Sequence, residues 1–339
     1  MGIEPAGIRT SQVTTFLSAL FLAFAGTALA RFISLRSGFV SHPDPVIPDH
    51  VRPVPKLGGL GFCLGAAAGA SSSPTLFVGL MLFFLCGLFD DALRLRPANK
   101  FIAQLVATAL ALIASPALIR PFTGVLVMDI ALSAFCIIAI VNAFNFIDVC
   151  DGLAATVAAI TFACWTWIGV GPARGLLLAV TGAAVGFLLW NRPPARIFLG
   201  DSGSQAMGFL VVASPLLAPH TIAFRLWVPL GILWTGVPVF ELIFVTWCRV
   251  RKGTGWWRGS PDHFALRLQA AGWSKSAIDA ASALAVVVLW YASSVLVGAG
   301  WGLRVAMLTA VGLLALLCAA YLARHEVILP VDKQKAIAE

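Results

Sequence analysis

Apolar segments follow one another along this chain too closely for a soluble core to absorb them. They lie at about 13–35, 57–73, 74–90, 101–118, 122–144, 152–170, 174–190, 204–219, 226–248, 278–299 and 301–323. A helix needs roughly 20 apolar residues to cross the hydrocarbon of a bilayer. Of the 339 residues, 60% are hydrophobic and only 11% are charged, where a soluble domain carries about a quarter. The sequence therefore predicts an all-α polytopic membrane protein with about 10–11 transmembrane helices, built as a single integral-membrane domain over residues 1–339. Ala28-Leu29-Ala30 resembles a small-residue cleavage site, but Arg9 is the one basic residue before it, so the first segment is read as an uncleaved span.

The loops between these segments alternate sides. One set comprises 36–56, 91–100, 145–151, 191–203 and 249–277, with the tail 324–339. It holds most of the 23 Lys and Arg residues, and the positive-inside rule places it in the cytoplasm with the N-terminus outside. Nearly all of the 15 carboxylates share that side, Glu4 and Asp129 excepted. Chemistry is expected on that face. The net charge of +8 is assigned to topology, anionic lipid and an anionic substrate; no nucleic-acid-binding motif is present. The seven cysteines are scattered through apolar segments and read as small hydrophobes without disulfides. Only Cys150 is placed to touch a ligand.

Several polar clusters stand at span ends. N-A-F-N-F-I-D-V-C-D-G-L-A, from Asn142 to Ala154, puts two amides and two carboxylates at the end of one apolar run and the start of the next. Ionisable groups at such a place point to function, and oxygen-only donors suit a hard divalent cation. Asp and Asn also cap helices, which is the structural alternative. Asp90-Asp91 ends the third segment, with Lys100 nearest to offset the mutual repulsion. P-V-P-K-L-G-G (53–59) carries two glycines that suit close backbone approach or tight helix packing. N-R-P-P-A-R-I-F-L-G-D-S-G-S-Q-A-M-G (191–208) sets Asp201 among small neighbours, three residues after Phe198. Glu241 lies inside the ninth segment and should face the bundle interior and pair there. The loop 249–277 holds Arg249, Arg251, Lys252, Arg258, His263, Arg267 and Lys275. These bases suit a pyrophosphate, and equally the topology signal. Trp256-Trp257 mark an interfacial segment.

Taken together and in order, these motifs resemble the polyprenyl-phosphate N-acetylhexosamine-1-phosphate transferases, in particular the undecaprenyl-phosphate GlcNAc-1-phosphate transferase type. P-V-P-K-L-G-G resembles the family's Gly-Gly motif and D-D-A-L-R-L-R-P-A-N-K its Asp-Asp…Lys motif. The Asn142 stretch resembles N-x-x-N-x-x-D-G-x-D-G-L, and the Asn191 stretch N-x-P-A-x-x-F-x-G-D-x-G-S-x-x-L-G. V-P-V-F-E followed by R-V-R-K-G resembles P-x-x-D and its basic stretch. The resemblance implies transfer of a sugar 1-phosphate from a UDP-sugar to undecaprenyl or decaprenyl phosphate in the inner cell membrane. UMP leaves, and the lipid-diphospho-sugar starts a cell-envelope glycan. Mg²⁺, or Mn²⁺ in its place, is the implied cofactor, and a homodimer the implied assembly.

By position, Asp201 would be the principal metal ligand, with Asn145 or Asp148 beside it. Phe198 would stack on uracil, with Asp151 and Gly152 near the uridine. Asn191 and Lys100 would reach phosphates or the metal shell. Asp90 and Asp91 would sit near the lipid phosphate, one of them as a base. His263, Arg267 and Arg251 would serve the pyrophosphate. Three positions depart from the pattern: Val149 stands for a Gly, Glu241 for an Asp, and Leu266 where a second His is common. They leave open a modified amino-sugar donor. Outside that reaction, an ion-coupled transporter and an inactive scaffold are the alternatives. Transporters set their acids near the midplane in repeated halves, and this chain has acids at helix ends and no internal repeat.

Overall fold

A computed structural model describes residues 10–43, 52–72, 74–119, 122–168, 172–216, 227–255, 257 and 259–327. Arg9, Arg120, Arg225, Trp256, Arg258 and the tail beyond 327 lie outside the described residues. The chain is a helical bundle in which α1 (Thr10–Ser37) leads through a two-residue antiparallel pair, β1 (Val40–Ser41) with β2 (Val54–Pro55), into the short α2 (Gly58–Ala66). Then come α3 (Pro74–Leu93), α4 (Pro97–Ala114), α5 (Leu126–Ile147), α6 (Leu153–Ile168), α7 (Pro172–Asn191) and α8 (Gly200–Leu216). The C-terminal part adds α9 (Trp227–Trp234), α10 (Gly236–Arg251), α11 (Phe264–Ala270), α12 (Lys275–Gly298) and α13 (Trp301–Ala323).

Among the described residues, 7 helices are long and apolar enough to cross a bilayer: α1, α3, α4, α5, α7, α12 and α13. The others are shorter. The segment expected at 57–73 is α2 followed by a 3₁₀ turn, and the one expected at 226–248 is broken at Thr235 into α9 and α10. The polar loop 249–277 contains a helix of its own, α11. Asp90 and Asp91 fall within the last turns of α3, and Lys100 in the first turn of α4, so the connection expected over 91–100 shrinks to three residues.

Small residues set how closely the helices approach. A Cβ on Gly182 would lie 2.4 Å from Phe16 O, and one on Gly186 2.4 Å from Leu20 O. The Gly182-x-x-x-Gly186 face of α7 thus lets the α1 backbone touch it, opposite buried Ala19 and Ala23. Where lipid is as apolar as the side chains, such contact by dispersion is what holds helices together. α8 sits centrally, against α2, α3 and α5, with Phe209 stacked on Phe83 at 5.0 Å. α13 is the opposite case: only 6% of its apolar window is buried, so it presents Leu313, Leu314, Leu316 and Leu317 outward.

Candidate active site

Four helix ends, those of α3, α4, α5 and α8, and one strap converge. The strap is Pro55 to Gly59. Phe198 N donates to Pro55 O (2.8 Å), Gly58 N to Phe198 O (3.0 Å) and Gly59 N to Leu199 O (2.9 Å). A Cβ on Gly59 would stand 2.4 Å from Gly203 N, so only glycine lets the strap lie along the start of α8. This brings Lys56 to the mouth of α8.

Asp91 closes that helix end. Its Oδ1 accepts from Asp201 N (3.0 Å) and its Oδ2 from Ser202 N (2.9 Å), taking up two of the amide groups a helix N-terminus leaves unpaired. Lys56 Nζ lies 2.8 Å from Asp91 Oδ1. Burial works against the Lys56 charge, but Asp91 beside it outweighs that and holds its pKa above the usual lysine range.

Asp201 follows in the first turn of α8 and accepts from Asn145 Nδ2 and from Lys100 Nζ (3.2 Å). Lys100 also bonds Asn145 Oδ1 at 3.0 Å and Asp90 Oδ2 at 2.7 Å. Asp90 Oδ1 accepts from Leu95 N (3.0 Å). A second layer of amides, Asn142, Gln104 and Gln205, continues the network below. Asp148 caps the C-terminus of α5. Burial first, then the charges of Asp201 and Asp91, push its carboxyl well above the usual range.

These groups open on a cavity of about 370 Å³, lined among others by Lys56, Asn145, Asp148, Asp151, Phe198 and Asp201. Four carboxylates, Asp90, Asp91, Asp148 and Asp201, face two ammonium groups, Lys56 and Lys100. With Asp151 paired to Lys275 and Arg52 also on the cavity wall, one negative charge is left over if all ionise. A divalent cation would more than cancel that excess, and its donors would be the oxygens of Asp201, Asp148 and Asn145. Among the described residues no three His, Cys, Asp or Glu side chains already stand at ligand spacing. The oxygen-only donors Asp201, Asp148 and Asn145 are of the type that suits Mg²⁺, which takes one or two carboxylates with waters and substrate phosphates completing the shell.

The structure brings Asn145, Asp148, Asp151, Phe198 and Asp201 together on this cavity, as well as Asn191. Each end of the Asn191 amide makes one bond within the protein: Gly152 N donates to its Oδ1 (3.0 Å) and its Nδ2 donates to Ile197 O (2.9 Å). It splints two loops while lining the cavity. Asp91 is tied up in the same way as a helix cap, and Asp90 backs Lys100.

The residues expected to serve the pyrophosphate are placed elsewhere. Arg267 is buried, bonded to Asp262 (2.6 Å) and Leu322 O (3.0 Å), so it latches α13 and does not line the cavity. Burial raises the Asp262 carboxyl, but Lys252 and Arg267 outweigh it and hold it below the usual range. Arg251 is exposed, its guanidinium 5.3 Å over the Trp247 ring. His263 Nδ1 lies 2.6 Å from Glu241 Oε1, and Phe264 N donates to Oε2. This is the partner the buried Glu241 needed. His263 meets α5 through Phe146, ring centroids 6.0 Å apart, and is not among the cavity-lining residues. Lys56, Arg52, Ser41 and Lys275 line the cavity without having been assigned to it. Lys56 had a signal, since it stands two residues before the paired glycines. Lys275 was legible only as one of the bases of loop 249–277, and the fold is what carries it to this cavity.

The model of glycosyl transferase family 4 matches residues 73–218, the stretch that supplies α3, α5 and α8. A putative glycosyltransferase of Streptomyces coelicolor is 32% identical over 342 residues, spanning 92% of this chain and 77% of its own. A probable undecaprenyl-phosphate N-acetylglucosaminyl 1-phosphate transferase of Bacillus subtilis is 28% identical, covering 77% of this chain and 78% of its own. A decaprenyl-phosphate N-acetylglucosaminephosphotransferase of Mycolicibacterium smegmatis is 31% identical over 61% of this chain and 60% of its own. With its clustered motifs and its apolar helices, the chain belongs to glycosyl transferase family 4 and is a multi-pass membrane enzyme.

Proposed function

We propose that this enzyme transfers an N-acetylhexosamine 1-phosphate from its UDP-sugar to a polyprenyl phosphate, on the cytoplasmic side of the inner membrane. An oxygen of the acceptor phosphate bonds to the sugar-bearing phosphorus. The bond from that phosphorus to the bridging oxygen breaks, and UMP departs with that oxygen. Both substrates are anions, so repulsion is the barrier the site has to offset. Lys56 and Lys100 are the cations that this chain supplies for it. Asp91 and Asp90 hold them in place from behind. Phe198 and Asp151 line the same cavity and suit the uridine. Mg²⁺ on Asp201, Asp148 and Asn145 would supply Lewis-acid charge to the pyrophosphate.

The observation that carries this reading is the meeting of Asn145, Asp148, Asp201 and Lys56 at one cavity, with Lys100 bonded to Asn145 and Asp201. Val149 also lines it, and a branched side chain there favours a modified amino-sugar donor as the second reading. The test is UMP release by purified enzyme with a short-chain polyprenyl phosphate, Mg²⁺ and a panel of UDP-sugars. Release should need both lipid and Mg²⁺ and identify the donor. Asp201→Ala should lower it about a thousandfold, as expected for loss of a principal electrostatic contact. Asp201→Ala within tenfold of wild type would sink the assignment.

A further inference from the structure

The cavity has a wall that the motifs do not supply. Lys275 is the first residue of α12, and its Nζ lies 3.2 Å from Asp151 Oδ2. A cation in the first turn of a helix opposes the helix dipole. A Lys four residues ahead of an acid, here Asp279, is also the weaker order of such a pair. α12 therefore gives Lys275 little reason to be where it is, and Asp151 gives it one.

Asp151 is held from two sides at the same atom. Ala195 N donates to Oδ2 at 3.2 Å, from the loop before Phe198, and Lys275 reaches the same oxygen. Among the described residues no hydrogen bond to Asp151 Oδ1 is found. One oxygen is clamped between two elements, and the other is left to accept from whatever fills the cavity that Asp151 lines. The clamp's spacing is set one turn further along α12. Gly152 has φ +81°, and a Cβ there would stand 2.5 Å from Asp279 Oδ2. α12 rests directly on the glycine after Asp151, which fixes the height of Lys275 above the carboxylate.

Resting on the function proposed above, we infer that Lys275 is a positioning residue for donor recognition. Through Oδ2 it holds Asp151 in one orientation, so that Oδ1 meets an N–H of the nucleobase. It acts on the nucleoside end of the donor and not on its phosphates.

Binding of uridine and of UMP to the purified full-length enzyme separates these roles. Lys275→Met should weaken both by the same factor, about tenfold. Donor KM should rise by a similar factor, with a smaller change in kcat and an unchanged KM for the polyprenyl phosphate. Lys275→Arg, which keeps the charge, should recover most of the loss. In an Asp151→Asn background, Lys275→Met should add almost nothing, because two residues acting as one unit are not additive. Weakened UMP binding with normal uridine binding would mean that Lys275 touches phosphate, and would overturn the inference. So would full additivity with Asp151→Asn, or a Lys275→Met enzyme that matches wild type while wild type binds uridine. A wild-type enzyme that binds neither uridine nor UMP would remove the proposed function along with it.

Discussion

Asp90 and Asp91 are neighbours in sequence with separate tasks in space. Asp91 faces the start of α8 and Lys56, while Asp90 faces Lys100. Asp91→Asn removes the charge that Lys56 answers and one of two acceptors for the helix amides. Losing one partner of a buried pair costs about 3–5 kcal/mol; with Lys56 partly open to solvent, about 2–3 kcal/mol is expected. It should register as a lower thermal midpoint in detergent. Asp90→Asn leaves Lys100 with Asp201 and Asn145, so the fold should tolerate it and turnover should fall. A phosphate monoester has its second pKa near 6. If Asp90 works by holding Lys100, the loss should be alike at about pH 5.5 and about pH 8. Activity kept at the higher pH and lost at the lower would make it a base instead. The sequence made both acids visible as candidates. It could not divide their work, because that depends on which way each side chain leaves α3. Arg267 and Arg251 show the same limit: a basic residue in a polar loop reads identically whether it ends in a cavity, in a latch or on the surface.

The helices differ more in what they touch than in how they read. α1 and α13 are both apolar enough to span, yet α1 lies in backbone contact with α7 while α13 is nearly all periphery. Gly186→Leu would drive a side chain into Leu20 O, and the protein should fail to accumulate or should elute as aggregate. Leu316→Ala on α13, at a side chain 67% exposed, should shift thermal stability by no more than about 0.5 kcal/mol. The existence of these helices was legible from hydropathy alone. The break at Thr235 and the shortness of α2 were not, since an apolar segment that turns or stops inside protein has the composition of one that crosses lipid. The glycine motif before α2 announced a close approach but not its partner, which lies on α8.

At the scale of the molecule, the proposed orientation, with the site toward the cytoplasm, rests on the positive-inside reading of the loops. A C-terminal green fluorescent protein fusion should fluoresce in cells, and an alkaline phosphatase fusion at the same point should be inactive. The reverse pattern would invert the topology. The strap has a consequence for how the molecule comes into being. The amides of Gly58 and Gly59 find their acceptors on Phe198 and Leu199, about 140 residues later in the chain. At ribosomal rates of roughly 5–20 residues per second, those partners emerge on the order of ten seconds after the strap. Until then α2 waits with two backbone donors open, although Asp91 on α3 is already there for Lys56. A nascent chain halted before α8 thus carries Lys56, Lys100, Asn145 and Asp148 without Asp201, and its strap has no acceptors to hold it in place.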